Sequence, residues 1–173
     1  MPVSSHVSGF PPLISRHARV LVLGTMPGVA SLREQQYYAH PRNAFWPIAA
    51  QLYGFGAQAS YQVRCEALKA NGIALWDVLQ ACERPGSLDA NILAASVVPN
   101  DFEMLFRLHP GIERVCFNGA KAAALYKRHV LPALGLSREL LYFELPSTSP
   151  AHAAMSLQDK STAWRRALDM PVP

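Results

Sequence analysis

Four short apolar runs constrain the fold of this chain more than any other feature. The first, at 19–23, is unbroken and aliphatic and is followed at once by Gly24, a pattern typical of a strand buried on both faces. Comparable runs recur later in the chain, at 73–77, 114–117 and 140–145. Helical patterns separate the runs, which predicts a three-layer α/β/α sandwich around a four-stranded parallel sheet.

Capping and stop signals place the helices between these runs. We predict helices at 43–53, 61–70, 101–109, 120–130 and 156–168. Asn43 is a good N-cap and Gly54 a stop, and Ser156 with Asp159 forms a capping box for the last helix. We expect 24–42 to be irregular, whereas 79–98 shows no clear pattern beyond a turn at 84–87.

Length and composition favour one globular domain spanning the whole chain. The 173 residues are 50% hydrophobic and 16% charged, which excludes a disordered chain. Residues 1–18 contain three prolines, and we expect them to form an arm on the surface. The net charge is +4, and twelve of the sixteen cations are arginine, whose geometry suits phosphate. A polyanionic partner is therefore plausible.

The cysteines argue against a disulfide or metal framework. Cys65, Cys82 and Cys116 are odd in number and form no C-x-x-C pair, so we expect reduced thiols, no metal and no cofactor. We find neither a signal-peptide pattern nor an apolar run of about 18 residues. The expectation is a soluble, cytoplasmic monomer with no membrane partner.

A concentration of rings and hydrogen-bonding groups lies between the first strand and the first helix. Residues 37–47 read YYAHPRNAFWP, which sets four aromatic rings beside a histidine, an arginine and an amide. Aromatic faces stack on flat rings, and imidazole and amide groups bond to the edges of such rings. The stretch suits a pocket for a flat polar ring, with a nucleobase as the first candidate.

Three loops that directly follow strands supply further polar groups. They are GTMPG at 24–28, FNGAK at 117–121 and LPSTSPAH at 145–152. Ligands of open α/β sheets bind outside the carboxyl ends of the strands, so we expect these loops to meet at one edge of the domain.

Taken together, GTMPG, YYAHPRNAFWP and LPSTSPAHA resemble the motifs of the uracil-DNA glycosylase superfamily. The Tyr-Ala-His-Pro-x-Asn-x-Phe-Trp pattern is similar to that of the mismatch-specific uracil/thymine DNA glycosylases. ALWDVL, GSLDANI and FNG add a likeness to the hypoxanthine (deoxyinosine) DNA glycosylase branch. The resemblance covers nearly the whole chain. It implies an enzyme without metal or cofactor that hydrolyses the N-glycosidic bond of a deaminated base in DNA, hypoxanthine first.

One departure from the superfamily pattern changes the expected catalytic residue. Most members carry aspartate or asparagine before the proline of the first motif, where that residue positions the hydrolytic water, but this chain has Met26. The hypoxanthine branch shares this loss and relies on the asparagine of the HPRN segment, which implies that Asn43 holds the water. Its capping role can coexist with that one. Asp77 is the alternative acid or base, unless it merely caps a turn.

The resemblance and the local chemistry divide the other polar groups into contacts with the base and contacts with DNA. Tyr38 would stack on the extruded base, and His152 would be a second catalytic group near the departing base or its phosphate. The other expected base contacts are Gly24, Thr25, Met26, Pro27, Gly28 and His40. The expected DNA contacts are Arg42, Lys121, Ser147, Thr148 and Ser149. Plainer explanations exist, since Tyr38 could cover the core and Arg42 could be a solvated charge.

Other functions stay open at this point. The chain could remove uracil, alone or from mismatches, or it could read damaged DNA without catalysis. A hydrolase of free nucleosides or nucleotides could use the same pocket. A serine hydrolase is disfavoured because the sequence has no G-x-S-x-G elbow. We expect Tyr37, Phe45 and Trp46 to be structural.

Overall fold

A parallel sheet of four strands lies at the centre of the computed structural model, which describes residues 4–169. In chain order the strands are β1 (His6–Ser8), β2 (Val20–Gly24), β3 (Ile73–Asp77), β4 (Leu79–Glu83), β5 (Val98–Pro99), β6 (Arg114–Asn118) and β7 (Leu141–Leu145). The helices are α1 (Val29–Glu34), α2 (Phe45–Tyr53), α3 (Tyr61–Ala70), α4 (Phe102–Leu108), α5 (Ala120–His129) and α6 (Leu157–Leu168). Short 3-10 helices lie at Asp89–Asn91, Ala94–Ser96 and Leu131–Ala133.

The central sheet has the strand order β3-β2-β6-β7, and each neighbouring pair is parallel. These are the four strands predicted from the apolar runs, displaced by no more than one residue at either end. Every residue of β2 and β3 is buried, as expected for strands covered on both faces.

Alternating residues of β2 divide the interior into two hydrophobic cores. Leu21 and Leu23 belong to the core that α4 and α5 cover. Val20 and Val22 belong to the core beneath α2, α3 and α6. Because side chains of a strand alternate between its faces, the two cores lie on opposite sides of the sheet. The predicted three-layer α/β/α sandwich is confirmed.

A second, smaller sheet corrects the expectation of a surface arm at 1–18. β1 pairs antiparallel with β4, which also pairs with β5, and Val7 of β1 is buried. Further along, Leu13 exchanges backbone hydrogen bonds with Leu75 of β3. Both pairings join segments far apart in sequence, so local periodicity did not reveal them. Residues 1–3 lie outside the described part of the chain.

Most helix ends follow the signals read from the sequence. Gly54 (φ 75°) and Gly72 (φ 72°) take the left-handed conformation that ends α2 and follows α3. Before α6, the Ser156 hydroxyl accepts the Asp159 N–H at 3.1 Å, so the predicted N-cap is confirmed. The Asp159 carboxylate accepts the Ser156 hydroxyl at 2.7 Å, whereas in a capping box it would accept the Ser156 backbone N–H. No helix among residues 4–169 has the length and apolar character needed to cross a bilayer.

Two local expectations were wrong. The stretch at 24–42 contains helix α1, which begins after Gly28, where the Ser87 hydroxyl accepts the Val29 N–H at 2.9 Å. Helix α2 begins at Phe45 with Ala44 at the N-cap position, two residues later than predicted. Tertiary partners from distant segments fix both starts, and a single-sequence pattern does not show such partners.

Candidate active site

A cavity of about 540 Å³ opens at the carboxyl ends of the central strands. It is lined by the segments 24–31, 87–90 and 147–152 together with Tyr37, Tyr38, His40, Asn43, Asp77 and Asn118. Its volume falls in the range of small-ligand pockets. The strand-end loops meet at one edge of the sheet, as a doubly covered parallel sheet leads one to expect.

The structure brings together most of the residues singled out in the sequence. Each expected catalytic residue and base contact lines the cavity, and so do the three hydroxyl residues of the 147–149 stretch. Two expected DNA contacts do not line it. Arg42 is exposed beside Asn43, and Lys121 is exposed in the first turn of α5.

The first loop, at 24–28, brings no ionisable or amide side chain to the cavity. Met26 is only 7% exposed and belongs to the core shared by β1 and α4, so it supplies no group for chemistry. A buried arginine fixes the loop: Nη2 of Arg84 donates to the Pro27 carbonyl at 2.7 Å, and Nε donates to the Gly86 carbonyl at 2.9 Å. The loop is therefore held rigidly against the 84–91 segment.

Tyr38 has a backbone conformation that most residues with side chains avoid. Its φ is 55°, in the left-handed region, and this conformation costs about 1–3 kcal/mol. The ring packs on Phe45 with 4.4 Å between centroids. Its hydroxyl is buried without a hydrogen-bond partner among residues 4–169. Burial, reinforced by Asp77, raises the phenol pKa against the opposing effect of the neighbouring Asn118 side chain, so Tyr38 is a neutral ring.

Asp77 ends β3 and forms part of the cavity floor. It is 4% exposed, and Oδ2 has no hydrogen-bond partner in the described part of the chain. Its other oxygen packs on the backbone of Gly24, where a Cβ would lie only 2.6 Å from Oδ1. Burial, with a smaller contribution from Asp89, raises the pKa of Asp77 from 3.8 to about 7, against the opposing charge of Arg84. The carboxyl is therefore largely neutral below pH 7.

Asn43 lies half-buried at the entrance to α2. Its Oδ1 accepts the Phe45 N–H at 2.9 Å, and its backbone N–H donates to the His40 carbonyl. Its capping function is thus present, although Ala44 occupies the N-cap position. An amide oxygen has two lone pairs, so Oδ1 keeps one acceptor site beside the cavity.

Thr148 connects the motif loops to each other. The Thr148 N–H donates to Oδ1 of Asn118 at 2.9 Å, and Nδ2 of Asn118 donates to the Thr148 hydroxyl at 2.8 Å. The Thr148 carbonyl accepts the Ala44 N–H at 2.9 Å. Because Thr148 is 1% exposed and fully bonded, Ser147 and Ser149 are the more accessible hydroxyls of this loop.

Replacing Asn118 with alanine should lower the free energy of unfolding by about 1–3 kcal/mol, since two part-buried hydrogen bonds to Thr148 are lost. Chemical denaturation measures this loss. A double-mutant cycle with Thr148→Val should give a coupling energy of about half this loss, because valine removes the hydroxyl that accepts from Nδ2 but keeps the backbone N–H that donates to Oδ1. Additive losses would contradict the proposed connection.

Two histidines lie at the exposed rim of the cavity. Nδ1 of His40 accepts the Arg42 N–H at 3.1 Å, which leaves Nε2 as its free nitrogen. The His152 carbonyl accepts a hydrogen bond from Lys160 at 2.7 Å, which anchors the backbone beneath the imidazole. Both residues are exposed to solvent.

Sequence reasoning missed several parts of the cavity lining, namely Tyr37, which was expected to be structural, residues 29–31 of α1, and the segment 87–90. In the sequence its surroundings showed only a turn at 84–87, and the structure gives Gly86 a left-handed φ of 74° there. Asp89 also lies here, and burial raises the pKa of its carboxyl against the opposing effects of Thr25 and Arg84. The GSLDANI motif, which includes this segment, indicated a resemblance to the family but did not indicate that its residues line the pocket.

The three cysteines are free and buried, as expected for reduced thiols. Within residues 4–169 no group of three or more histidine, cysteine, aspartate or glutamate side chains could hold a metal ion.

The cavity, its motif loops and the sheet order fit the superfamily that the motifs resemble, and comparison with known proteins agrees. The model of the uracil DNA glycosylase superfamily matches residues 11–168. The chain belongs to this superfamily.

Two curated relatives and one solved structure show which members of the superfamily the chain is similar to. A hypoxanthine DNA glycosylase of Methanosarcina barkeri is 38% identical over 160 residues, which cover 92% of this chain and 96% of that protein. A hypoxanthine DNA glycosylase of Methanosarcina acetivorans is 34% identical, over 90% and 94% of the two chains. A solution NMR structure of a Methanosarcina acetivorans protein assigned to the uracil DNA glycosylases superposes with a TM-score of 0.75 at 32% identity, covering 95% and 99%.

Proposed function

We propose that this protein is a monofunctional DNA glycosylase that hydrolyses the N-glycosidic bond of hypoxanthine flipped out of DNA. The observation that carries the proposal is the cavity in which Tyr38, Asn43 and Asp77 meet, in a member of this superfamily. The names of both curated relatives support hypoxanthine as the preferred base. A further support is Met26, which replaces the expected acid or amide with a buried apolar side chain.

Extrusion of the nucleotide is the first step, and it costs a few kcal/mol of stacking and pairing. Tyr38 offers an aromatic surface at the cavity, and stacking of a base on such a ring contributes about 1–3 kcal/mol. The left-handed backbone of Tyr38 fixes the ring on Phe45 before DNA arrives. Little of the stacking energy is then spent on ordering the ring.

The depth of each polar group in the cavity assigns it to one part of the nucleotide. An extruded base enters first and reaches the floor, while its sugar stays nearer the mouth. Asp77 is on the floor and almost fully buried, so we assign it to the base. Asn43 is half-buried at the start of α2, so we assign it to the sugar and its water.

Cleavage leaves negative charge on the departing base, and donors fixed where that charge develops accelerate the reaction. Neutral Asp77 is such a donor, and its carboxyl also offers an acceptor to the adjacent ring N–H of hypoxanthine. The Tyr38 hydroxyl is a second donor without a partner among the described residues. His152 at the rim can bond to the base or to the neighbouring phosphate.

Water completes the reaction by adding to the anomeric carbon of the oxocarbenium-like sugar. Oδ1 of Asn43 holds this water through its remaining lone pair. An amide is too weak a base to deprotonate water fully, so its contribution is position. The proton lost from water ends on the departing base or in solvent. These steps require neither a metal nor a covalent nucleophile, and we propose that a monomer carries them out.

Base release from labelled duplexes tests the function. Each duplex carries one inosine, uracil or xanthine, alkali cleaves the abasic product, and an undamaged duplex is the control. We expect cleavage at inosine to be fastest. Faster release of uracil would place the chain with uracil or mismatch-specific enzymes, and binding without cleavage would make it a reader of damage. Release of base from free deoxyinosine alone would indicate a nucleoside hydrolase.

A further inference from the structure

One acid that lines the cavity has no part in the reaction described above. Asp89, on the segment 87–90, lines the cavity together with Asp77. The two carboxyls lie at different depths, because the Asp89 side chain is 40% exposed, whereas Asp77 as a whole is only 4% exposed. Like the half-buried Asn43, Asp89 therefore lies at the level of the sugar rather than on the floor that receives the base.

Hydrogen bonds fix the segment that carries Asp89. Asp89 begins a short 3-10 helix, and Nδ2 of Asn91 in the same helix donates to the Pro85 carbonyl at 3.2 Å. On the other side of Asp89, the Ser87 hydroxyl accepts the Val29 N–H at the start of α1 at 2.9 Å. The backbone that positions the carboxylate is therefore already ordered before a nucleotide enters, which is the condition for preorganised electrostatic stabilisation.

The charges around Asp89 place the anion at the cavity and the cation behind it. Nη1 of Arg84 is buried, has no hydrogen-bond partner among residues 4–169, and lies 4.0 Å from Oδ1 of Asp89. Arg84 itself does not line the cavity. Burial raises the pKa of Asp89 against the opposing effects of Thr25 and Arg84. The charge of Asp89 in turn helps to raise the pKa of Asp77, so Asp89 is the acid that ionises first.

Positive charge develops on the sugar as the N-glycosidic bond breaks. A fixed anion at the level of the sugar stabilises this charge in the transition state more than it stabilises the uncharged sugar of the bound nucleotide, so it accelerates the chemical step. Neither Asn43 nor neutral Asp77 supplies such an anion. We propose that the Asp89 carboxylate is a further catalytic group, which stabilises the oxocarbenium-like sugar electrostatically. This inference rests on the proposed function, because it presupposes that the cavity receives a nucleotide from DNA.

Binding of two sugar analogues tests the role of this charge without any chemistry. One duplex carries a neutral tetrahydrofuran abasic analogue at the lesion, and the other carries a pyrrolidine analogue whose ring nitrogen is protonated. The parent should bind the pyrrolidine duplex about tenfold more tightly, because opposite charges attract strongly where water is partly excluded. Asp89→Asn should lose this preference. Glu83→Gln is the matched control, since it removes an acid of the same charge from an exposed site that does not line the cavity.

Single-turnover excision supplies the second measurement. Asp89→Asn, which keeps the shape of the side chain but not its charge, should release hypoxanthine about 10- to 100-fold more slowly than the parent. Asp89→Glu, which keeps the charge, should recover part of the rate, whereas a purely structural role would favour asparagine over glutamate. A parent without the pyrrolidine preference, or an Asp89→Asn variant that retains it, would overturn the proposal. If the parent releases no base at all, the proposed function fails, and the pyrrolidine preference still decides whether Asp89 faces the sugar.

Discussion

Replacing Asn43 with alanine is expected to slow hypoxanthine release by about 100- to 1,000-fold, the usual effect of removing one fixed polar group from a transition state. Binding to inosine duplexes should stay within a few-fold of the parent, because the stacking ring of Tyr38 and the loop hydroxyls are untouched. Single-turnover excision and equilibrium binding, measured with the same duplex, separate the two effects.

The capping bond of Asn43 requires its own control. Alanine also removes the acceptor for the Phe45 N–H, which should cost about 1 kcal/mol of stability. Serine at this position can again accept a helix N–H but is too short to hold the water. Asn43→Ser should therefore recover stability without recovering excision. Full excision by either variant would remove Asn43 from the catalytic assignment.

Excision should fall about tenfold per pH unit above pH 7, because Asp77 donates to the base only while it is protonated and its pKa is about 7. Asp77→Asn keeps a donor and an acceptor but cannot ionise, so this variant should remain active and lose the alkaline decline. Asp77→Leu should be slow at every pH. If Asp77 instead activated the water, excision would rise with pH and the asparagine variant would be inactive.

Stability offers a second measure of the same carboxyl. The unfolded chain ionises Asp77 near its ordinary value of 3.8, whereas the folded protein holds the proton up to about pH 7. The stabilisation that protonated Asp77 contributes is therefore fully present below pH 4, and it is lost as the pH rises towards 7. Asparagine cannot ionise, so Asp77→Asn does not lose stability in this way. Thermal denaturation should show that the variant is more stable than the parent at pH 8, by up to a few kcal/mol, but not at pH 4. Equal differences at both values would contradict the raised pKa.

The central sheet could be predicted because its signals are local. A strand such as β2, which is buried on both faces, has an unbroken aliphatic sequence. The glycines that end helices can likewise be recognised from the neighbouring residues alone. The motif stretch at 37–47 was informative for a related reason, since its rings and amide crowd into one segment. Sequence reasoning placed Tyr38 and Asn43 in a pocket, and both line the cavity.

Other features depend on partners that no local pattern reveals. β1 is a strand only because β4 lies beside it, and Val7 is buried for that reason. The charge state of Asp77 follows from its burial against Gly24, which the letters of the ALWDVL string do not show. The sequence placed Arg84 in a turn, but its burial and its hydrogen bonds to the Pro27 and Gly86 carbonyls depend on the tertiary structure.

The contacts of Thr148 have a consequence for how the protein opens. Its N–H is donated to Asn118 at the end of β6, and its carbonyl receives the Ala44 N–H at the start of α2. The loop that carries Thr148 follows β7, which is an edge strand of the central sheet. Local unfolding that detaches β7 from the sheet would break these bonds. The amide proton of Thr148 should therefore exchange with solvent only when the pocket unfolds. A single slowly exchanging proton thus reports the lifetime of the assembled site.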